Sequence, residues 1–259
     1  MKLSNKILIS LLVLVILFQF FAMLKFRSFV KDAMVSSNNI DRTLWNDLMD
    51  SEIIEKEFDF DDFDEVYLKF HGNAIIKQSD EFKVTVKGPE DFLSSEYFEI
   101  ANRGNTLHIE CPVYRHSHYE IFTIIEMPSI KKINGQERLE IIFQDFEEDK
   151  VKIKIAGDCA VQGNNNAIEF LELDSFGEIK FDFANSVIRE AEVHAMGETN
   201  VSMKVTDIDI KAFGESDIDL QMNGGRLDGQ MIGDGNVTYT GEIGRNSLKF
   251  IGPGEVRRR

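Results

Sequence analysis

A glycine recurs through the second half of this 259-residue chain at nearly constant distance. The segments "IKIAGDCAVQ", "LDSFGEIKFDF", "VHAMGETNVSMKV", "IKAFGESDIDLQM", "GQMIGDGNVTYTG" and "LKFIGPGEVRR" align on Gly157, Gly177, Gly197, Gly214, Gly233 and Gly252, at intervals of 20, 20, 17, 19 and 19. In the same alignment Gly135 lies one unit upstream at an interval of 22, and Gly72 is a remote earlier member. Apolar and polar residues alternate on both sides of each glycine, which is the pattern of a half-buried strand. A strand–turn–strand unit of about 20 residues is too small to bury its own apolar side and must stack on a copy of itself. The fold this predicts is all-β: a single parallel β-helix (β-solenoid) with rungs of about 20 residues, each climbing about 4.8 Å. Glycine would form the repeated corner. The residue before it would form an inward column of Ala156, Phe176, Met196, Phe213, Ile232 and Ile251. An antiparallel sandwich explains the alternation but not the fixed interval.

The residue after each glycine forms a second column, Asp158, Glu178, Glu198, Glu215 and Asp234, which ends at Pro253. Stacked carboxylates repel one another unless they are solvated. They read either as a solvated outer turn or as a cation-binding ridge suited to Ca²⁺. Neither a cofactor nor a resident metal follows from the pattern.

The chain opens differently. Ile7–Leu24, "ILISLLVLVILFQFFAML", is 18 residues long with only Ser10 and Gln19 polar, and it follows Lys2 and Lys6. That is longer than the apolar core of a cleaved signal peptide and is followed by a poor cleavage site. It approaches the length of about 20 residues needed to cross a bilayer. The expected organisation is a signal anchor or transmembrane helix over 1–26, a partly helical connector over 27–56 and the β-solenoid over 57–259. The connector has Asp41 as a cap, a stripe of Leu44, Leu48 and Ile53, and the sole tryptophan, Trp45. Basic residues flank the apolar run on both sides, so the positive-inside rule is nearly balanced. The expected location is the cell membrane, single-pass, with the body periplasmic or extracellular.

Formal charge is −16, with +4 on residues 1–32 and −20 on the rest. So acidic a body repels phosphate backbones, which excludes nucleic acid as a partner. Two cysteines, Cys111 and Cys159, are too far apart in sequence for a zinc pattern or a disulfide framework and read as small buried hydrophobes.

Chemistry-bearing motifs are sparse. His116 and His118 share a strand face, but two imidazoles do not make a zinc site. "DFDDFDE", Asp59 to Glu65, lacks the spaced glycine and closing glutamate of a calcium loop. No nucleophile elbow, phosphate loop or dinucleotide fingerprint occurs. The pairs Asp207/Asp209 and Asp217/Asp219 could serve a glycan-cleaving β-helix, which needs two carboxylates about 5–10 Å apart. In a chain this acidic such pairs arise by chance, and the expectation is not an enzyme.

The order "EFKVTVKGPEDFL…TLHIE…IIEMPSIKKINGQ…GDGNVTYTG…LKFIGPGEVRRR" resembles the bacterial domains described as putative auto-transporter adhesin, head GIN domain, over about residues 58–259. Its best-matching pieces are Met127-Pro128-Ser129-Ile130 and the Gly-x-Gly steps Gly233-Asp234-Gly235 and Gly252-Pro253-Gly254; the middle units carry Gly-Glu-x instead. The resemblance implies an exported β-helix and brings no catalytic residues. The resulting expectation is a membrane-tethered, extracytoplasmic, adhesin-like binding or scaffolding module. Its partner would be an envelope protein or a glycan, with membrane contact through residues 7–24. A glycan-cleaving enzyme and an envelope-stress or signalling partner are the alternatives.

Overall fold

The computed structural model describes residues 52–111 and 120–259. The apolar run over 7–24, most of the connector and the pair His116/His118 lie outside them. Among the described residues, no helix is long and apolar enough to cross a membrane.

The described residues are all-β, and their strands join one 13-stranded sheet. Seven strands form the first part: β1 (Ile53–Phe58), β2 (Glu65–Lys69), β3 (Gly72–Gln78), β4 (Lys83–Pro89), β5 (Glu99–Arg103), β6 (Thr106–Glu110) and β7 (Ile121–Met127). A one-turn helix, α1 (Glu90–Leu93), follows β4 and buries Phe92 and Leu93. Then come β8 (Lys132–Gln144), the 77-residue β9 (Glu147–Asn223) and β10 (Arg226–Glu242). The short β11 (Arg245–Asn246), β12 (Lys249–Ile251) and β13 (Gly254–Arg258) pair with β10. Ile53, assigned from sequence to a helical stripe, begins β1 instead.

The sheet is not the parallel β-helix that the glycine interval predicts. It is open, strongly curled into a half-barrel, and mixed in strand direction. β1 with β4, β4 with β7 and β5 with β6 run antiparallel. The reason lies in residues 53–127, where turn chemistry replaces the 20-residue interval. Arg103 pairs with Thr106, leaving Gly104 and Asn105 as a two-residue loop with Gly104 at φ +73°. Such a loop joins antiparallel strands.

Further along, pairing becomes parallel and the interval reappears as register. Lys132–Gln144 pair with residues 20 further on in β9. Ile208–Asn223 pair with residues 19 further on in β10. At the aligned positions Gly157, Gly177, Gly197, Gly214, Gly233 and Gly252 all have φ between +116° and +124°. A methyl group on Gly177 would lie 2.2 Å from the Gly157 carbonyl oxygen, and one on Gly197 would lie 2.3 Å from that of Gly177. Backbone meets backbone there, with no room for a side chain. Upstream, Gly135 is not the next member: it pairs with Ile155, and the position stacked on Gly157 is Glu137, at φ +83°. Gly72, at φ +147°, lies against Ile121 and Leu139, outside this column.

The inward column is also corrected. Met196, Phe213 and Ile251 are 47%, 55% and 54% exposed, and Ala156, Phe176 and Ile232 are only partly covered. The twofold alternation of a strand runs straight through each glycine. Leu173 and Ser175 before Gly177, and Ile179 and Phe181 after it, are all buried. The glycine therefore falls in step with the buried residues without being buried itself, a Cβ on it would point at the pass before it, and its neighbours on both sides face out. A reading displaced by one residue reverses every side chain.

Several core residues nearest the glycines are small, although Ile155, Ile179 and Met231 stand equally close. Ser175, Ala195 and Ala212 precede them by two positions; Thr199 and Ser216 follow by two, and all five are buried. Ser175 Oγ and Thr199 Oγ1 lie 3.4 Å apart. Farther from the bend the core holds Leu171, Phe181, Phe183 and Leu220. Phe143 and Phe146 stack at 4.9 Å. A second bend stands on amides: Asn166, 2% exposed, accepts from the Phe146 N–H, donates to the Phe143 carbonyl and meets Ser186 Oγ at 3.2 Å.

Two truncations of one residue type separate the faces. Phe181→Ala should cost about 3–5 kcal/mol, the range for a buried aromatic. Phe213→Ala should cost under about 1 kcal/mol, as surface changes do. Urea unfolding of both variants measures the difference.

Candidate functional site

Since side chains alternate, each pass of the curled sheet presents outward residues two apart, and stacking sets them in columns. Asn236 stacks on Asp217 and Thr238 on Asp219. In step with the glycine ladder, Lys180 and Asn200 precede Asp217, and Ser202 precedes Asp219. The hydrogen bonds run between passes: Asn236 Nδ2 donates to Asp217 Oδ1 at 3.1 Å, and Thr238 Oγ1 donates to Asp219 Oδ1 at 3.2 Å. Arg259 crosses two passes to place Nη1 2.9 Å from Asp219 Oδ2. Together with Phe181, Val201 and Ile218 these residues line a groove of about 320 Å³. It offers ammonium, guanidinium, amide, hydroxyl and carboxylate groups in a periodic array.

The acidic column Asp158, Glu178, Glu198, Glu215 and Asp234 lies elsewhere, beside the glycine bend. All five are exposed, and Asp234 pairs in register with Glu215. The structure adds a cation at its base: Arg138 stacks on Asp158, with Nε 3.2 Å from Oδ2. Asp207 and Asp209 do not join the groove; Asp207 accepts from the Arg226 N–H at 2.7 Å. In "DFDDFDE" Asp59, Asp61 and Asp62 are exposed, and Asp64 is bonded to Asn105 and Lys131.

A further cluster escaped the sequence because its members stand a whole unit apart. Ligand atoms of Glu172, Asp174 and His194 lie within 4.8 Å of one another. The Lys152 ammonium pairs with both carboxylates, 3.0 Å from Asp174 Oδ2, and His194 Nδ1 is 3.0 Å from Asp174 Oδ1. Lys154 adds its charge at 3.5 Å. Lysine thus fills the position a metal would take. Burial works to raise the Asp174 pKa, but hydrogen bonds from His194 and Lys152 and the neighbouring ammonium charges outweigh it and hold the carboxyl below the usual carboxylate range. Both cysteines are buried, and no disulfide joins them. Burial, helped by the charges of Asp158 and Glu137, pushes the Cys159 thiol up to about 12, so it does not act as a nucleophile at neutral pH.

Fold and groove together define an all-β protein that presents a polar, strand-borne surface. The model of the family described as putative auto-transporter adhesin, head GIN domain, matches residues 62–242, and the chain belongs to that family. No curated protein matches it. Among solved structures, a putative adhesin from Bacteroides fragilis NCTC 9343 is similar at TM-score 0.70 and 16% identity, covering 80% of this chain and 97% of its own. A putative lipid binding protein from Parabacteroides distasonis ATCC 8503 follows at TM-score 0.60 and 14% identity, covering 81% and 98%. A putative adhesin from Parabacteroides merdae ATCC 43184 gives TM-score 0.58 and 16% identity, covering 81% and 97%. At such identities the likeness is one of fold.

The Asp174 network makes a pH prediction. A carboxyl whose folded pKa lies below its ordinary value of 3.8 contributes stability that is complete above that value and is lost as pH falls below it. Asp174→Asn should therefore cost on the order of 1 kcal/mol at neutral pH, by loss of charge-assisted hydrogen bonds. Its difference from the native chain should shrink below pH 3.8, as read from urea midpoints at neutral and acid pH.

Proposed function

We propose that this protein is a membrane-tethered binding module, held by residues 7–24 with its body outside the cytoplasm, and that it recognises a repeating polyhydroxyl chain, a surface glycan, along the groove. The observation that carries this reading is the periodic array from Lys180 to Arg259, in which donors and acceptors recur on successive passes of one face. A polymer of sugars presents hydroxyl groups at regular spacing, each able to donate and accept. Direct hydrogen bonds of this kind exchange for bonds to water and are individually weak, so affinity accumulates along several sugars. The family's adhesin description supports an external partner.

The reading is non-catalytic. Asp217 and Asp219, the carboxylates of the groove, are each engaged by a neighbour on the next pass, Asn236 and Thr238, and Asp219 also by Arg259. Their work is to hold the array in place.

Two measurements test this. On an array of bacterial surface polysaccharides the protein should retain at least one polymer, and the double variant Asp217→Ala/Asn236→Ala should lose at least tenfold in affinity, while Asp174→Asn binds normally. Retention of no polymer, or binding indifferent to the groove variant, contradicts the glycan reading. For the tether, the mature protein should keep Met1 and sediment with membranes, and external protease should digest residues 57–259 in spheroplasts. A soluble protein whose N-terminus lies beyond Leu24 contradicts it.

A further inference from the structure

β13 hydrogen-bonds to β10 on one side, and among the described residues its other side has no strand partner. The direction of each backbone group is fixed by two bonds. The Pro253 carbonyl accepts from the Gly235 N–H at 3.1 Å, and the Arg259 N–H donates to the Tyr239 carbonyl at 2.9 Å. In a parallel ladder both groups of a residue point to the same side, and the side alternates along the strand. Glu255 and Arg257 therefore turn their backbone groups towards β10. Gly254, Val256 and Arg258 turn theirs to the open edge.

The core is cut open at the same place. Val256 stacks on Val237, which is fully buried, yet Val256 itself is only partly covered. Phe250 stacks on the buried Met231 and is likewise only partly covered. An unpaired edge beside uncovered apolar side chains is a template for another strand.

We propose that the strand which completes this edge is β13 of a second copy, paired antiparallel about a two-fold axis at Val256. The sequence Gly254-Glu255-Val256-Arg257-Arg258 is charge-complementary to its own reverse. Val256 meets Val256, and Gly254 meets Arg258, as hydrogen-bonded pairs that use the outward-pointing groups. Glu255 meets Arg257 at the two non-hydrogen-bonded positions, where opposed side chains come closest. The Glu255–Arg257 ion pair already present within the strand then becomes a square of alternating charge. The two nearest registers compatible with the same outward groups fail. Pairing Gly254 with Val256 sets Glu255 against Glu255, and pairing Val256 with Arg258 sets Arg257 against Arg257. Like charges directly opposite are unfavourable, so the pattern selects one register. The interface is isologous and closed, which makes a dimer and not a fibre.

The test uses the full chain in detergent micelles, with mass read by light scattering over a range of protein concentration and fold checked by circular dichroism. The native chain should pass from monomer to dimer. Glu255→Arg and Arg257→Glu, both exposed positions, should each weaken the dimer at least tenfold. The swap Glu255→Arg/Arg257→Glu should restore it, and a mixture of the two single variants should form a mixed dimer. A monomer at every concentration, a dimer indifferent to the single reversals, or a swap that fails to restore association overturns the proposal.

Discussion

From Gly157 to Gly252 the backbone of each pass lies directly on the backbone of the pass before it. A methyl group on any of these glycines would fall 2.1–2.4 Å from the carbonyl oxygen beneath. Such a contact cannot be relieved by rotating a side chain, because the atom on the other side is main chain. It forces the same φ, near +120°, on every member of the column. It also fixes the stacking register, since a shift of one residue would bring a Cβ onto a carbonyl. The curl of the sheet and the alternation that runs through the bend are consequences of that contact. At the bottom of the column Glu137 takes a positive φ without being glycine, between Gln136, which pairs with Lys69, and Leu139, which pairs with Gly72.

Everything outward-facing inherits the register. Because passes align residue for residue, side chains 19 or 20 apart in sequence become neighbours about 4.8 Å apart. One such alignment makes the groove of Asn236 on Asp217 and Thr238 on Asp219. Another closes Lys152 onto Glu172 and Asp174. A third leaves Phe213 and Ile251 exposed, both in register with Ile232. β13 is stacked on β10 in the same way, so the charges along its edge are set by the same alignment.

The repeat and the strand content were legible because the glycine contact leaves a trace in the sequence at every pass. Its exact geometry was not. Read as a corner, Gly177 suggests that Phe176 turns inward; in the structure Ser175 and Ile179 are buried and the phenylalanine faces out. Apolar character misled there, since a column of Phe, Met and Ile looks like core until the alternation on both sides is counted. The mixed strand directions were missed for a different reason: the hairpin signal Arg103-Gly104-Asn105-Thr106 stands outside the repeat, and attention to the interval passed over it. Of the site, the acidic column could be read because its members adjoin the glycines. The groove and the Glu172–Asp174–His194 cluster could not, since their partners are joined only by stacking.

The contact between stacked glycines can be measured against a glycine that shares its sign of φ but not its neighbour. Gly104 has φ +73° and nothing within 4 Å of where a Cβ would lie; Gly197 has φ +120° and the Gly177 carbonyl oxygen at 2.3 Å. Gly104→Ala should cost about 1–2 kcal/mol, the conformational penalty of a left-handed alanine. Gly197→Ala should cost more than about 4 kcal/mol, in the range reserved for disrupted packing, or prevent folding. Equal losses at the two positions, by urea unfolding, would contradict the view that stacked backbones hold this sheet in its curl.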